Sequence, residues 1–353
     1  MCGINGIILS KKVDSSSITK MLQTMNQLII HRGPDDEGYF VHLDDNCSIG
    51  MAMRRLSIID LNTGSQPIYN QDKTIAIVFN GEIYNFQKIK DKLLSENVIF
   101  NTKSDTEVIL KLYEKYGPNS FKELDGMYAF SIFDQKKNKV FIARDFFGEK
   151  PLYYFKNKEK FIWASELKSI TNHLDFKPQI SKTGLNLFFK LTYTPAPFTI
   201  FDDIYKLEAN HYITYDLSLN KLDIQPIDTL KKEQKQNIPF IEAKTKVHDL
   251  VMQSIESRTV SDVPIGTFLS GGVDSSIVSL GVSKLTNKKI DTFSIGFQKA
   301  SFDETDKSRL ISKLINSNHH EFILTEDDLK NDLNNILLNF DEPFADSSAL
   351  PTY

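Results

Sequence analysis

The chain has 353 residues, 41% hydrophobic and 25% charged, the balance of a soluble globular protein with room for two cores. Its 42 basic and 46 acidic residues leave a formal charge of -4, which argues against a general nucleic-acid grip built on clustered positive surface. Two cysteines, Cys2 and Cys47, exclude a disulfide scaffold and a cysteine zinc cluster, and the seven histidines show no HExxH spacing. The neighbours His319 and His320 make a poor chelate. No apolar run is long enough to span a bilayer and no secretory signal opens the chain, so a reduced, cytoplasmic protein is expected.

Short apolar, strand-like runs dominate the first 215 residues: 4–9, 75–79, 128–133, 140–143, 161–164 and 212–215. Ile18, Met21, Leu22, Met25, Leu28 and Ile29 follow helical spacing behind a Ser15-Ser16-Ser17 start signal, and Val108, Ile109, Leu112, Tyr113 and Tyr116 do the same. Two helices amid many strands predict an α+β domain with mostly antiparallel sheets over 1–215. The stretch 216–239, with its charged Lys231-Lys232-Glu233-Gln234-Lys235-Gln236 run, reads as a linker. From 240 the pattern alternates: a helix around Val247, Leu250, Val251 and Ile255, then a strand over 265–269. A helix over 275–285, a strand over 292–295, a helix over 303–315 and a strand over 321–324 follow. That is the rhythm of a parallel α/β sheet, and about three strands over 240–353 predict an incomplete one, since an average sheet has roughly 5–6.

Cys2 follows Met1 and precedes Gly3. Cys2 and Gly3 are both small, so removal of Met1 is expected to leave cysteine at the N-terminus. A free α-amine has a pKa of about 7.7–8.0 and can take the proton of the thiol in its own residue, so one residue supplies nucleophile and base. Taken alone, Cys2 is as readily an ordinary small second residue. Further along come Arg32-Gly33-Pro34-Asp35, Arg55-Leu56-Ser57-Ile58-Ile59-Asp60, Phe79-Asn80-Gly81-Glu82-Ile83-Tyr84-Asn85, Ser104-Asp105-Thr106-Glu107 and Asp125-Gly126-Met127-Tyr128-Ala129-Phe130. Ala143-Arg144-Asp145 leading to Gly148 closes the series. In this order the set resembles the glutamine amidotransferase domain of the N-terminal-nucleophile type, which implies stacked antiparallel sheets flanked by helices.

The resemblance assigns Cys2 as nucleophile. The Asn80 side-chain amide and the Gly81 N–H would stabilise the oxyanion, a donor worth about 10²–10³ in rate. Asn80-Gly81 is also a hairpin-turn pair. Arg55 is the partner for the substrate carboxylate, with Arg54 beside it as a competitor. Leu56, Ser57, Ile58 and Ile59 would complete glutamine binding with Glu82, through backbone or side chain. Asp105 would take the substrate ammonium, although Ser104 and Glu107 around it also read as a capping box. Arg32-Gly33-Pro34-Asp35-Asp36 is either a flap over the pocket or a structural turn, and Cys47 is a buried structural thiol.

The strand over 265–269 runs into Ser270-Gly271-Gly272-Val273-Asp274-Ser275-Ser276 and then an apolar helix. Two glycines, serine hydroxyls and a helix N-terminus make an anion site. No GxxxxGK[ST] occurs, so a Walker loop is not indicated. The string resembles the pyrophosphate loop of ATP pyrophosphatases. The resemblance gives Ser270, Gly271, Gly272 and Ser275 to the phosphates, Leu269 and Ile295 to the adenosine, and Asp274 either to magnesium or to the helix cap.

A Cys2 glutaminase and this loop on one chain resemble glutamine-hydrolysing asparagine synthetases. So do Thr292-Phe293-Ser294-Ile295-Gly296-Phe297, Phe302-Asp303-Glu304 and Asp341-Glu342-Pro343-Phe344-Ala345-Asp346-Ser347-Ser348. The resemblance implies glutamine, aspartate and ATP with Mg²⁺ as the small molecules, no nucleic-acid or membrane partner, and leaves a homodimer open. A sibling enzyme amidating another carboxylate, such as a polysaccharide uronic acid, and a fragment with glutaminase activity alone are the rival expectations. A further Ser-Gly-(Glu/Asp)-Gly-x-Asp-Glu motif of the family lies downstream of the Pro-Thr-Tyr at 351–353, so synthetase activity of this polypeptide is the part least expected.

Overall fold

The computed structural model describes residues 2–352 apart from 176, 230–236, 287 and 300. The charged run expected as linker at 231–236 lies outside the described residues. Two compact units emerge, Met1–Leu230 with Asp341–Ala345, and Lys231–Phe340 with Asp346–Tyr353.

The first unit begins with β1 (Gly3–Leu9), α1 (Ser15–Leu28), β2 (Asp36–Leu43), β3 (Ser48–Arg55), β4 (Ile68–Tyr69) and β5 (Ile75–Ile83). It continues with α2 (Phe86–Ser95), α3 (Asp105–Tyr116), β6 (Gly126–Asp134), β7 (Lys139–Arg144), β8 (Tyr153–Lys156) and β9 (Lys160–Ala164). Then come α4 (Leu167–Thr171), α5 (Lys182–Leu191), β10 (Ile204–Lys206), β11 (His211–Asp216) and β12 (Lys221–Pro226). The strands form two six-stranded sheets, β10-β8-β9-β1-β3-β2 and β12-β11-β7-β6-β5-β4, and every pairing within them is antiparallel.

Each sheet is buried on both faces. In β1, Ile4 and Ile8 join Val78, Phe133 and Ile142 of the opposite sheet in the central core, while Ile7 and Leu9 turn to Ile18, Leu22 and Met25 of α1. In β5, Ile77 and Phe79 face the other way, into a third core with Val108, Leu112 and Tyr113 of α3. Successive side chains on a strand point to opposite faces, so an apolar run without alternation is what a strand between two cores needs.

The expected strands and both expected helices are present with extended ends. Three helices go beyond the two expected. α2 hides behind its charges, burying only Phe86, Ile89 and Leu93 on one face, and α4 and α5 are short. The cap of α1 is Asp14, which accepts from the Ser17 N–H at 2.9 Å, rather than the serine run. The linker expectation over 216–239 meets an edge strand: β12 pairs with β11 from His211↔Pro226 to Asp216↔Lys221. Asp341–Ala345 belongs to the first unit rather than to the domain expected over 240–353. The Lys168 N–H donates to Asp341 at 3.0 Å, the Ile200 N–H to Glu342 at 3.2 Å and the Ala345 N–H to Thr192 O at 3.0 Å.

The second unit holds α6 (Phe240–Ser257), β13 (Gly266–Phe268), α7 (Val273–Leu285), β14 (Asp291–Phe297), α8 (Thr305–Ile315), β15 (Asn318–Leu324), α9 (Glu326–Asn339) and α10 (Ala349–Thr352). Its sheet, β13-β14-β15, is parallel throughout, as the alternating pattern predicts. The expected strands and helices fall on these elements, and α9 and α10 are additional. Among the described residues no helix is long and apolar enough to cross a membrane.

Candidate active sites

The first site lies where β1 begins and β5 runs out. One cavity is lined by Cys2, Arg55, Leu56, Ile58, Ile59, Asn80, Gly81, Glu82 and Asp105, which brings together residues scattered over a hundred positions. Of the expected glutamine-binding set only Ser57 is not part of this lining: its N–H donates to Asp35 Oδ2 at 2.8 Å. The Asp35 N–H in turn donates to Arg55 O at 3.1 Å, which favours the turn over the flap for the 32–36 segment. Arg32 reinforces it, donating from Nε to Cys2 O at 2.9 Å and pairing with Glu166 at 3.1 Å.

The Cys2 thiol accepts from the Leu56 N–H, with N···Sγ at 3.4 Å. Burial pushes the thiol up, against the lowering pull of that N–H and of Arg55. A neutral thiol at rest needs a base before it can attack. Arg54 and Arg55 are separated by their partners. Arg54 pairs with Glu37 at 3.0 Å and donates to Asn26 O at 3.3 Å. Arg55 lines the cavity and is anchored through Nη2 to the carbonyls of Ile59 at 3.0 Å and Asp60 at 2.7 Å.

Asn80 is wholly buried on β5, and neither its Oδ1 nor its Nδ2 has a hydrogen-bond partner among the described residues. A buried amide left unpaired costs about 1–3 kcal/mol, which a structural role alone does not repay. Gly81 beside it has no room for a side chain, since a Cβ would come within 2.1 Å of Met127 O on β6. Asn80-Gly81 is therefore in mid-ladder, paired with Ala129 and Tyr128, and not in a hairpin turn.

Asp105 starts α3 and accepts from the Ile83 N–H at 3.0 Å. Burial first, then the Glu82 charge, pushes its carboxyl up to about 6. The expected capping box is not formed. Ser104 Oγ accepts from the Thr106 N–H at 3.2 Å, but Glu107 turns back to the N–H groups of Asn101 at 2.9 Å and Thr102 at 2.6 Å. Cys47 is buried in the central core, as a structural thiol is expected to be. Sequence reasoning missed Lys150, Gln66, Thr106 and Met127 in the lining. Thr106 and Met127 stand inside motifs already singled out and Lys150 two residues past Gly148, but nothing in the spacing pointed any of the three at the cavity.

The second site is the turn between β13 and α7. Leu269 is fully buried and its N–H donates to Phe293 O at 2.8 Å, which locks the turn to β14. Gly271 takes φ +84, and a Cβ there would lie 2.4 Å from Lys307 Cβ, so both backbone and space require glycine. Gly272 caps α7 without a side-chain bond, leaving the helix N–H groups to a ligand. Ser270 Oγ lies 3.0 Å from Ser275 Oγ, and the buried Ser276 Oγ has no partner among the described residues. Asp274 is in the first turn of α7, so it is no N-cap, and Ile295 lies on β14 next to β13. An orphaned hydroxyl, a glycine cradle and a free helix N-terminus fit phosphate oxygens.

Comparison with known proteins assigns the chain to two domain families. A glutamine amidotransferase domain model matches residues 1–224 and an asparagine synthase model matches residues 246–353. A Methanocaldococcus jannaschii protein named as a second glutamine-hydrolyzing asparagine synthetase is 40% identical over all of this chain and 70% of its own length. Asparagine synthetase (glutamine-hydrolyzing) 1 of Bacillus subtilis is 35% identical over all of this chain and 55% of its own. Number 2 of the same organism is 36% identical over 87% of this chain and 42% of its own. The chain thus spans 70% of the archaeal relative and about half of the two bacterial ones.

Proposed function

The chain belongs to the glutamine-hydrolysing asparagine synthetase family, and on that premise we propose that its first unit hydrolyses glutamine at Cys2 to feed ammonia to a carboxylate activated at the second. The observation that carries this reading is the unpaired, buried amide of Asn80 in the cavity of Cys2. The thiolate attacks the glutamine carboxamide, and the proton goes to the Cys2 α-amine exposed by loss of Met1. Asn80 Nδ2 and the Gly81 N–H hold the oxyanion, and Arg55 and Asp105 hold the substrate's carboxylate and ammonium. The tetrahedral species collapses to a thioester and ammonia, and water then releases glutamate.

In the second unit, ATP lies with its phosphates on the 270–276 turn. The aspartate β-carboxylate attacks the α-phosphorus, giving β-aspartyl-AMP and pyrophosphate, and ammonia displaces AMP to yield asparagine. Aspartate as acceptor follows the names of the relatives. Magnesium entering with ATP would neutralise charge on the leaving pyrophosphate, and Asp274, in the first turn of α7, would be the carboxylate to hold it. The free thiols Cys2 and Cys47 suit a reducing, cytoplasmic setting.

The test is glutamate release from glutamine by the intact chain and by Cys2→Ala. Loss of release in the variant, with its thermal midpoint kept, is the expected result. Release by Cys2→Ala at the wild-type rate would remove the nucleophile and the reading with it.

A further inference from the structure

The Arg144-Asp145…Gly148 motif takes no part in the chemistry above, yet its loop is densely hydrogen-bonded and runs into the first cavity. Asp145 is wholly buried. Its Oδ1 accepts from the N–H groups of Phe147 at 3.1 Å and Glu149 at 2.9 Å. Its Oδ2 accepts from those of Tyr128 at 3.2 Å and Lys150 at 2.9 Å. Arg144 donates to the carbonyls of Lys150 at 2.8 Å, Gly148 at 2.6 Å and Leu207 at 2.5 Å. Gly148 supplies the left-handed step, φ +68, which closes the turn. The buried Asp145 and the half-buried Arg144 thus spend their hydrogen-bonding capacity on backbone groups, which fixes the loop.

What the loop delivers is Lys150, 3% exposed and lining the cavity of Cys2, Glu82 and Asp105. The cavity then holds two carboxyl groups, Glu82 and Asp105, and two cations, Arg55 and Lys150. Arg55 is tied through Nη2 to the carbonyls of Ile59 and Asp60 and, in the proposed function, is engaged by the substrate carboxylate. The half-buried Glu82 and the buried Asp105 line one cavity, and like charges there disfavour joint ionisation unless a cation offsets them. Glutamine is a zwitterion and brings no net charge to settle the imbalance.

We propose that Lys150 is a positioning residue of the glutaminase: its ammonium, held by the Arg144–Asp145 loop, keeps Glu82 ionised and turned to the substrate, so that Glu82 and Asp105 together receive the glutamine ammonium. This rests on the glutaminase reading of Cys2. The charged groups acting on Glu82 are Lys150 and the chain's N-terminal amine, and Glu82 in turn acts on Asp105; those acting on Lys150 are Glu82, Arg32, Glu149 and Asp145. Burial pushes the Glu82 carboxyl up and Lys150 opposes it, and burial lowers Lys150 while Glu82 opposes that.

The experiment measures glutamine hydrolysis against pH for the full chain carrying Lys150→Met, Lys150→Arg, Glu82→Gln and the Lys150→Met/Glu82→Gln pair. Lys150→Met is expected to raise KM about tenfold, to change kcat much less, and to move the acid limb of kcat/KM up by about one pH unit. Lys150→Arg should restore the limb, and Lys150→Met should add nothing to Glu82→Gln. An unmoved limb, or full additivity of the pair, overturns the proposal. If Lys150→Met does not fold, the limb of Lys150→Arg and the KM of Glu82→Gln decide: a limb displaced in Lys150→Arg, or a wild-type KM in Glu82→Gln, overturns it too. Equal glutamate release by wild type and Cys2→Ala would sink the glutaminase reading instead, and is read separately.

Discussion

The two sites of this chain are held by different means. Around Cys2 the support is packing: all of β1 and β3 are buried, and the cavity is cut between sheets that each face two cores. Around Gly271 the support is the loop's own hydrogen bonds and one link to β14. The buried core of the second unit contains Ile255, Val282 and Ile290, while Phe268 at the end of β13 is 84% exposed and Val273 at the start of α7 is 76% exposed. Binding groups anchored in a dense core are placed before substrate arrives, whereas amides on a lightly packed turn pay for their ordering when phosphate binds. Substitution of the groups aimed at the oxyanion in the first site should therefore show in kcat, and substitution in the second site in affinity.

The largest break in that contrast would come from the N-terminus. Forced retention of Met1 turns the Cys2 nitrogen into an amide, and hydrolysis is expected to fall by about 10²–10⁴, the contribution of a general base. Intact mass measured beside turnover checks this, and a fully Met-bearing sample with normal turnover would show that another group takes the proton. Asn80→Ala comes next, with kcat down about 10²–10³ and KM little changed, because the amide acts on the oxyanion and not on bound glutamine. A rise in KM alone would place Asn80 in ground-state binding.

Asp105→Asn separates function from stability. The folded carboxyl sits near 6, above its ordinary value of 3.8, so the native state holds this proton more tightly than the unfolded chain does. The stabilising effect of that protonation is full below about pH 4 and is lost as pH rises through about 6. The asparagine variant should therefore unfold at a higher temperature than wild type at pH 8, by up to about 3 kcal/mol, and match it near pH 4. Glutamine kcat/KM should drop at least about tenfold at pH 8. Equal midpoints at both pH values would mean that the carboxyl is not strained by burial.

Gly271→Ala is the smallest effect and the one aimed at the second unit. A side chain at φ +84 meeting Lys307 should weaken Mg-ATP binding by about tenfold in calorimetric titration and leave glutamine hydrolysis unchanged. Binding by the unaltered chain is itself expected to be weak, given the exposed Phe268 and Val273. Tight binding would show that the turn is as well held as the Cys2 cavity.

Much of this was legible in the residues, for physical reasons that also mark where reading stopped. Strand runs such as Ile75 to Phe79 stand out because both faces are buried. α2 did not stand out, because one buried stripe of Phe86, Ile89 and Leu93 is diluted by lysines. The ordered motifs gave Arg55, Asn80, Gly81, Glu82 and Asp105 to one cavity. Ser57 follows the same string, but its backbone is spent on Asp35, which no spacing reveals. Glu107 looked like a capping partner, and only the geometry shows it reaching back to Asn101 and Thr102. Lys150 could not be assigned from pattern, since its place depends on how Asp145 folds the loop behind it.

The setting of the Cys2 sulfur has a consequence for its durability. Oxidants and disulfides react with thiolates, and their rate follows the ionised fraction and access. A half-buried sulfur that meets the Leu56 N–H, and whose ionisation burial disfavours, presents less thiolate to peroxide while the pocket is empty. The same burial that makes Cys2 wait for a base thus also slows its loss to oxidation.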